Sequence, residues 1–171
     1  MKQLCTLGLM LLLAVCSFSQ KRKADKDTKN WRYEVEAIAE GKDGTYLIKV
    51  WSYNKKDIIA IEQAKKNAVH AIIFQGFTGR GNITGQPPLV TDPSVQSSKS
   101  DFFDSFFQDN NQNGYMKYVS LSNDGSISPE DILKVGKEYK IGVIVSIRKD
   151  LLKKDLQTAG IIKSLGNLFD N

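Results

Sequence analysis

The amino-acid sequence predicts an α+β domain: an antiparallel sheet of about four strands backed by two main helices, with a long Gly/Pro loop. Three observations carry this expectation. Apolar and polar residues alternate over 31–39, 45–53 and 138–148, the period of a half-buried strand. Between the second and third of these runs, Ile61, Ala64, Ala68, Ala71 and Ile72 recur three or four apart, the period of an amphipathic helix. Glu40-Gly41-Lys42-Asp43-Gly44 separates the first two runs by a turn short enough to make them a hairpin.

Residues 1–19 read as a leader to this domain. One charge, Lys2, precedes a nearly unbroken apolar run from Leu4 to Val15. A positive n-region and an h-region too short to span a bilayer make a secretory signal peptide. Ser17-Phe18-Ser19 supplies a small-x-small cleavage site, placing the mature start at Gln20; the junction resembles signal-peptidase sites of Bacteroidota secreted proteins. Leu13-Ala14-Val15-Cys16 competes with it, because it resembles a lipobox in which Cys16 is acylated. Val15 is bulky where such boxes carry Gly, Ala or Ser, so free cleavage is favoured. No other apolar run is long enough to cross a bilayer. The expected location is periplasmic or secreted, with an outer-membrane lipoprotein as the alternative.

Cleavage after Ser19 leaves 152 of the 171 residues and takes the net charge from +5 to +4, enough chain for one domain with a real core. It also removes Cys5 and Cys16, and with them any disulfide, thiolate nucleophile or cysteine metal ligand. His70 is the one histidine, too few for Cys–His catalysis or the common zinc sites. Residues 20–30 are mostly charged, from Lys21 through Asp25 and Asp27 to Lys29. Such a run buries no apolar surface and reads as a solvated tether. Its interleaved aspartates and the modest total charge argue against nucleic acid as a partner.

The domain itself is read over 31–162. In its first strand Trp31, Tyr33, Val35, Ala37 and Ala39 alternate with Arg32, Glu34 and Glu36; Thr45 to Tyr53 is the antiparallel partner. The helix from Asp57 to about Gln75 carries an alanine stripe that permits close approach to a sheet, and Gly76 ends it. His70 lies off the Ala64–Ala68 line and reads as a packing or rim residue. Residues 78–100 gather Gly79, Gly81, Gly85, Pro87, Pro88 and Pro93, a loop long enough to be functional or disordered. With Arg80 as cation its glycines imitate a phosphate cradle. Such a cradle follows a strand and opens a helix, whereas this segment follows a helix and meets two prolines. A mobile loop suited to partner contact is the better reading.

Asp101 to Phe107 puts Phe102, Phe103, Phe106 and Phe107 on one face of a short helix with Asp101 as N-cap. That face either plugs the end of the core or offers an aromatic patch to a partner or membrane surface. Tyr115 to Leu121 reads as a strand. Two stretches imitate calcium loops, one through Asp109, Asn111 and Asn113, the other through Asp124 and Asp131. Ser120 closes the first, and Ser120 and Ser122 stand early in the second, short of the hard-oxygen set calcium requires. Asn113-Gly114 and Asp124-Gly125 read better as turns. Ser128-Pro129-Glu130-Asp131 starts a short helix expected to end near Gly136. Glu138 to Arg148 is the clearest strand in the chain. Leu151, Leu152, Leu156 and Ala159 form a final amphipathic helix closed by Gly160, and residues 163–171 are a C-terminal tail.

This succession resembles a family. A strand ending in Val50-Trp51-Ser52-Tyr53 runs into the alanine-striped helix, and the strand Lys140 to Ile147 runs into Arg148-Lys149-Asp150-Leu151-Leu152. Over 31–77 and 115–162 it resembles small bacterial envelope modules related to the N-terminal domain of flagellar assembly protein T, and short surface lipoproteins. The resemblance implies a non-enzymatic binding or assembly module of the cell envelope, with an envelope protein as partner and no cofactor. The contact residues expected are Arg80 in the loop and Phe102, Phe103, Phe106 and Phe107. A small-ligand or calcium-dependent binder is the alternative. Glu34, Glu36, Asp101 and Asp104 are not spaced as a catalytic dyad, so no enzyme is expected.

Overall fold

The computed structural model describes residues 31–108, 111 and 113–163. The leader with Cys16, the charged tether, Asp109 and most of the tail lie outside the described residues.

The alternating runs form strands as their period dictates. β1 (Tyr33–Glu40) and β2 (Thr45–Asn54) make the expected hairpin, turning through Asp43 and Gly44 at positive φ. The register pairs Tyr33 with Ser52 and Val35 with Val50, then slips between Ala37 and Ala39, an irregularity that bends the ribbon. Three more strands follow: β3 (Val119–Leu121), β4 (Ile132–Val135) and β5 (Glu138–Arg148). β5 runs antiparallel along the whole free edge of β2. Its other edge is shared, with β3 opposite Val145–Ile147 and β4 opposite Glu138–Ile141. The result is a curled antiparallel sheet in an α+β fold.

One face of that sheet is covered by α1 (Asp57–His70), which a wider turn, Ala71–Gln75, extends. Tyr46, Ile48 and Val50 of β2 and Val143, Val145 and Ile147 of β5 all point to this side, where Ala60, Ala64, Ala68 and Ile72 meet them. Alanine at the contact lets the helix approach closely enough to exclude water from a sheet of β-branched residues. Gly76 stops the helix at φ +68, and a Cβ there would strike the carbonyl oxygen of Gln86. α2 (Ser94–Ser98) and α3 (Ser100–Phe106) then close one end of the core. α4 (Lys149–Thr158) leaves directly from β5 and buries Leu152 and Leu156. The sheet is thus backed by α1 and α4, with the short α3 as a third helix at its end.

Four local expectations are corrected. Residues 115–121 are not one strand: Tyr115–Tyr118 is a 3₁₀ turn, and only Val119–Leu121 pairs. Tyr115 and Tyr118 are both buried, and a three-residue spacing brings two side chains to one side in a helical turn, where a strand would send them to opposite faces. The expected helix from Ser128 shrinks to a single turn, Pro129–Asp131, and the next four residues are β4. The edge of β5 between Glu138 and Ile141 supplies hydrogen-bond partners that a short, β-branched segment takes in preference to helix. The 78–100 loop is largely structured: Phe77 bridges Gln86, Arg80 bridges Ile83, and α2 occupies its end. Asp101 lies inside the first turn of α3; Lys99 holds the cap position, without a side-chain cap.

Candidate functional site

α1 carries a second stripe, Gln63, Asn67 and His70, one turn apart on its side facing the first hairpin. Each meets a polar side chain of the sheet. Asn54 Nδ2 donates to Gln63 Oε1 at 3.3 Å, and Asn67 Nδ2 donates to Ser52 Oγ at 2.9 Å. The Tyr33 hydroxyl and His70 Nδ1 lie 2.6 Å apart. All six residues are buried, so this is a polar seam within an otherwise apolar helix–sheet interface. Asn67 Oδ1 is buried in it without a hydrogen-bond partner.

At the end of the seam Trp31 lies flat on the His70 ring, centroids 3.5 Å apart and 14° from parallel. Phe74 and Phe107 close its sides, and the Gln96 amide sits 3.4 Å from Nε2. Burial pushes His70 down to about 3 and pushes the Tyr33 phenol up. At neutral pH the imidazole is uncharged and enclosed, the packing residue that its place off the alanine line implies.

A groove of about 550 Å³ opens between α3 and α4. Phe102, Phe106, Leu156 and Ala159 give it an apolar wall, and Asn111, Lys117, Tyr118 and Asp155 line its polar side. Phe106 stacks between Phe102 and Tyr118, with centroids 5.7 and 5.9 Å away. The polar side is prearranged: Asp155 Oδ2 accepts from Lys117 Nζ at 2.6 Å and from the Tyr118 hydroxyl at 2.9 Å. The Lys117 ammonium, with the Tyr118 hydroxyl, holds the Asp155 carboxyl below its usual range. Burial first, then Asp155, pushes the Tyr118 phenol up. The Arg148 guanidinium donates to the Lys117 carbonyl and so ties the same turn to β5. An aromatic wall facing a few fixed polar groups is the usual make-up of a recognition site, and the volume is within the common range.

Comparison with known proteins returns nothing to set beside this geometry. No family model, no curated protein and no solved structure matches the chain.

The sequence-predicted site residues are distributed as follows. Phe103 and Phe106 are 5% and 4% exposed and belong to the core, so as freely exposed contact residues they are corrected; their rings face inward because α3 is the lid of the sheet's end. Phe106 still presents its edge to the groove, Phe102 is half-buried there, and Phe107 is half-buried against Trp31. Arg80 is exposed at the tip of the 77–86 ladder and pairs with Glu36 of β1 at 3.6 Å; no contact described for it reaches the phenylalanines. Of the calcium-loop residues, Asn111 turns its amide oxygen to the Asn113 N–H and its amide nitrogen to the Ser105 carbonyl. Asp124 sits at positive φ in a tight turn. Asp131 is buried and ion-paired to Lys49 at 2.6 Å. Among the described residues no group of three His, Cys, Asp or Glu side chains could hold a metal ion.

Sequence reasoning missed Lys117, Tyr118 and Asp155. Lys117 and Asp155 are 38 positions apart, and no local pattern announces their meeting. It likewise missed the outer face of the sheet. There Trp51 packs over Gly142, whose missing side chain leaves room for the ring, and donates to Glu36 at 3.0 Å. Lys49 and Lys140 lie over the indole at 5.5 and 5.1 Å. Glu34 accepts from Lys140 at 2.6 Å and from Tyr53 at 2.7 Å, and Lys140 foremost holds its carboxyl below the usual range. This face is closed by its own charges.

Proposed function

We propose that the protein is a non-enzymatic binding or assembly module exported to the bacterial cell envelope, holding a protein partner by an apolar side chain seated in the α3–α4 groove. One observation carries the reading: an aromatic wall faces a Lys117–Asp155–Tyr118 set whose geometry is fixed before any ligand arrives, which lowers the ordering cost of binding. Phe102 is the anchor wall, Tyr118 and Asp155 the polar guides. The chemistry of the groove supports binding rather than catalysis, since the one carboxylate lining it among the described residues is paired with Lys117 and the only histidine is enclosed elsewhere.

The runner-up is a small-ligand binder using the same groove, favoured by its volume. Its calcium-dependent form gains no support from Asp131 or Asn111, whose Oδ1 atoms already accept from the Lys49 ammonium and the Asn113 N–H.

Intact mass of the native protein from fractionated cells tests the export half of the proposal. A chain beginning at Gln20 in the soluble periplasmic or secreted fraction supports a free module. An acylated Cys16 in the membrane fraction supports the lipoprotein form, and an uncleaved chain in the cytoplasm refutes both. Retention of an envelope protein by the wild type, lost at least tenfold in Phe102→Ser at a temperature where both proteins are fully folded, supports the groove. Equal retention by both removes it.

A further inference from the structure

The β4–β5 ribbon stands out from the rest of the surface. Ile132, Leu133, Val135 and Tyr139 are 39–45% exposed, four of the six large apolar side chains so exposed among the described residues. All four β4 residues are exposed, so α1 does not reach this end of the sheet. β4 pairs with β5 along one edge and with no other described strand. Apolar side chains gathered at an unpaired strand edge are what a segment that adds to a sheet requires.

The ladder defines what that edge presents. Val135 and Glu138 close a two-residue loop with Gly136 at φ +61, the glycine-first turn suited to a twisted hairpin. Counting back from this closing pair, hydrogen-bonding direction alternates, so the backbone groups of Leu133 and Val135 face β5 and those of Ile132 and Lys134 face outward. The Ile132 N–H is already given to the Pro129 carbonyl. Three groups are left for a new neighbour: the Ile132 carbonyl and the N–H and carbonyl of Lys134. Side chains alternate across the same ribbon, with Ile132 and Tyr139 on one face and Leu133 and Val135 on the other. An added strand therefore meets apolar surface above and below.

Charge selects the occupant. Arg32 and Lys140 at the base of the ribbon are paired with Glu138 and Glu34, whereas Lys134 and Lys137 form no ion pair among the described residues. We infer that β4 is a docking strand for an extended segment of another protein, apolar at alternate positions and carrying a carboxylate opposite Lys134. A second copy of this chain fits poorly. Two-fold pairing of β4 with itself can centre on an outward-facing residue or on Leu133 between them. Centred on Ile132 or on Leu133 it calls on the Ile132 N–H, which the Pro129 carbonyl already takes, and centred on Lys134 it sets two lysines opposite each other. A lysine in a short edge strand also discourages indiscriminate pairing, so the charge that admits an acidic strand excludes neutral ones. This surface shares no residue with the α3–α4 groove, and the two stand or fall separately.

The test is a titration of ¹⁵N-labelled protein with two synthetic peptides, one alternating Asp with Val and the other Lys with Val. The acidic peptide is expected to shift the amides of Ile132–Val135 and to slow exchange of the Lys134 amide. Lys134→Glu should weaken it at least tenfold and reverse the preference between peptides. Leu133→Ser with Val135→Thr should weaken it similarly, and Phe102→Ser should leave it within twofold. The β4 positions are exposed, so their variants are expected to fold, and the unperturbed amides of β2 check this in the same spectra. Equal binding of both peptides, no shift on the ribbon at millimolar peptide, or shifts confined to the groove would overturn the inference. So would concentration-dependent self-association lost in Leu133→Lys, which would assign the edge to a second copy.

Discussion

The Tyr33 hydroxyl and His70 Nδ1 are 2.6 Å apart in a buried contact that joins β1 to the last turn of α1. With Trp31 stacked on the ring, the pair makes the fold sensitive to acid. The folded-state value of His70 is pushed down to about 3 by burial, against about 6.5 in an unfolded chain. Between those values the unfolded state binds the proton and the folded state does not, so stability falls as pH drops through the window. Near pH 4.5 the loss from this group is about 2–3 kcal/mol. Guanidinium unfolding of the wild type at pH 7 and 4.5, set beside His70→Phe, measures it. The variant is expected to lose less stability on acidification than the wild type, and an equal loss in both would show that carboxylates such as Asp155 account for the effect.

The α3 phenylalanines separate by burial. Phe103→Ala and Phe106→Ala remove rings that are 5% and 4% exposed and are expected to cost about 3–5 kcal/mol each. Phe102, half-buried on the groove, is expected to cost about 1 kcal/mol. Denaturant midpoints at constant m-value give all three. A similar small loss at all three positions would mean that α3 is not packed on the core.

Asn67 leaves its Oδ1 unsatisfied inside the polar seam, a burial that costs about 1–3 kcal/mol. Replacing both partners, Ser52→Ala with Asn67→Leu, removes the orphan and its hydrogen bond together and is expected to raise the melting temperature by about 2–4 °C. Asn67→Leu alone strands the Ser52 hydroxyl and gains less. A double variant less stable than either single one would show that the seam is worth more to this fold than apolar packing.

Local pattern was enough for the skeleton. Period-two alternation placed β1, β2 and β5, and the spacing of Ala64, Ala68 and Ala71 placed α1, because each of these segments buries a face whose period is written in consecutive residues. The fold class followed from their order. The short elements were not legible. Ile-Leu-Lys-Val is strand only because β5 offers an unpaired edge beside it, and Tyr115–Tyr118 is a turn only because both rings must enter one core. The Phe-rich helix was visible, but nothing local divides its rings into two that face inward and two that stay half-exposed.

The candidate sites divide the same way. The sequence by itself determined the α+β plan and the scarcity of thiol and imidazole groups, with two cysteines, Cys5 and Cys16, and one histidine, His70. Only the tertiary structure decided what lies beside what. Tyr33 is brought to His70 across 37 positions, Lys117 to Asp155 across 38, and Arg32 to Glu138 across 106. Helix and strand periods fix which way a side chain points within its own element, while its neighbours come from sheet register and helix docking. Those depend on summed burial over the whole chain, and no stretch of a few residues contains them.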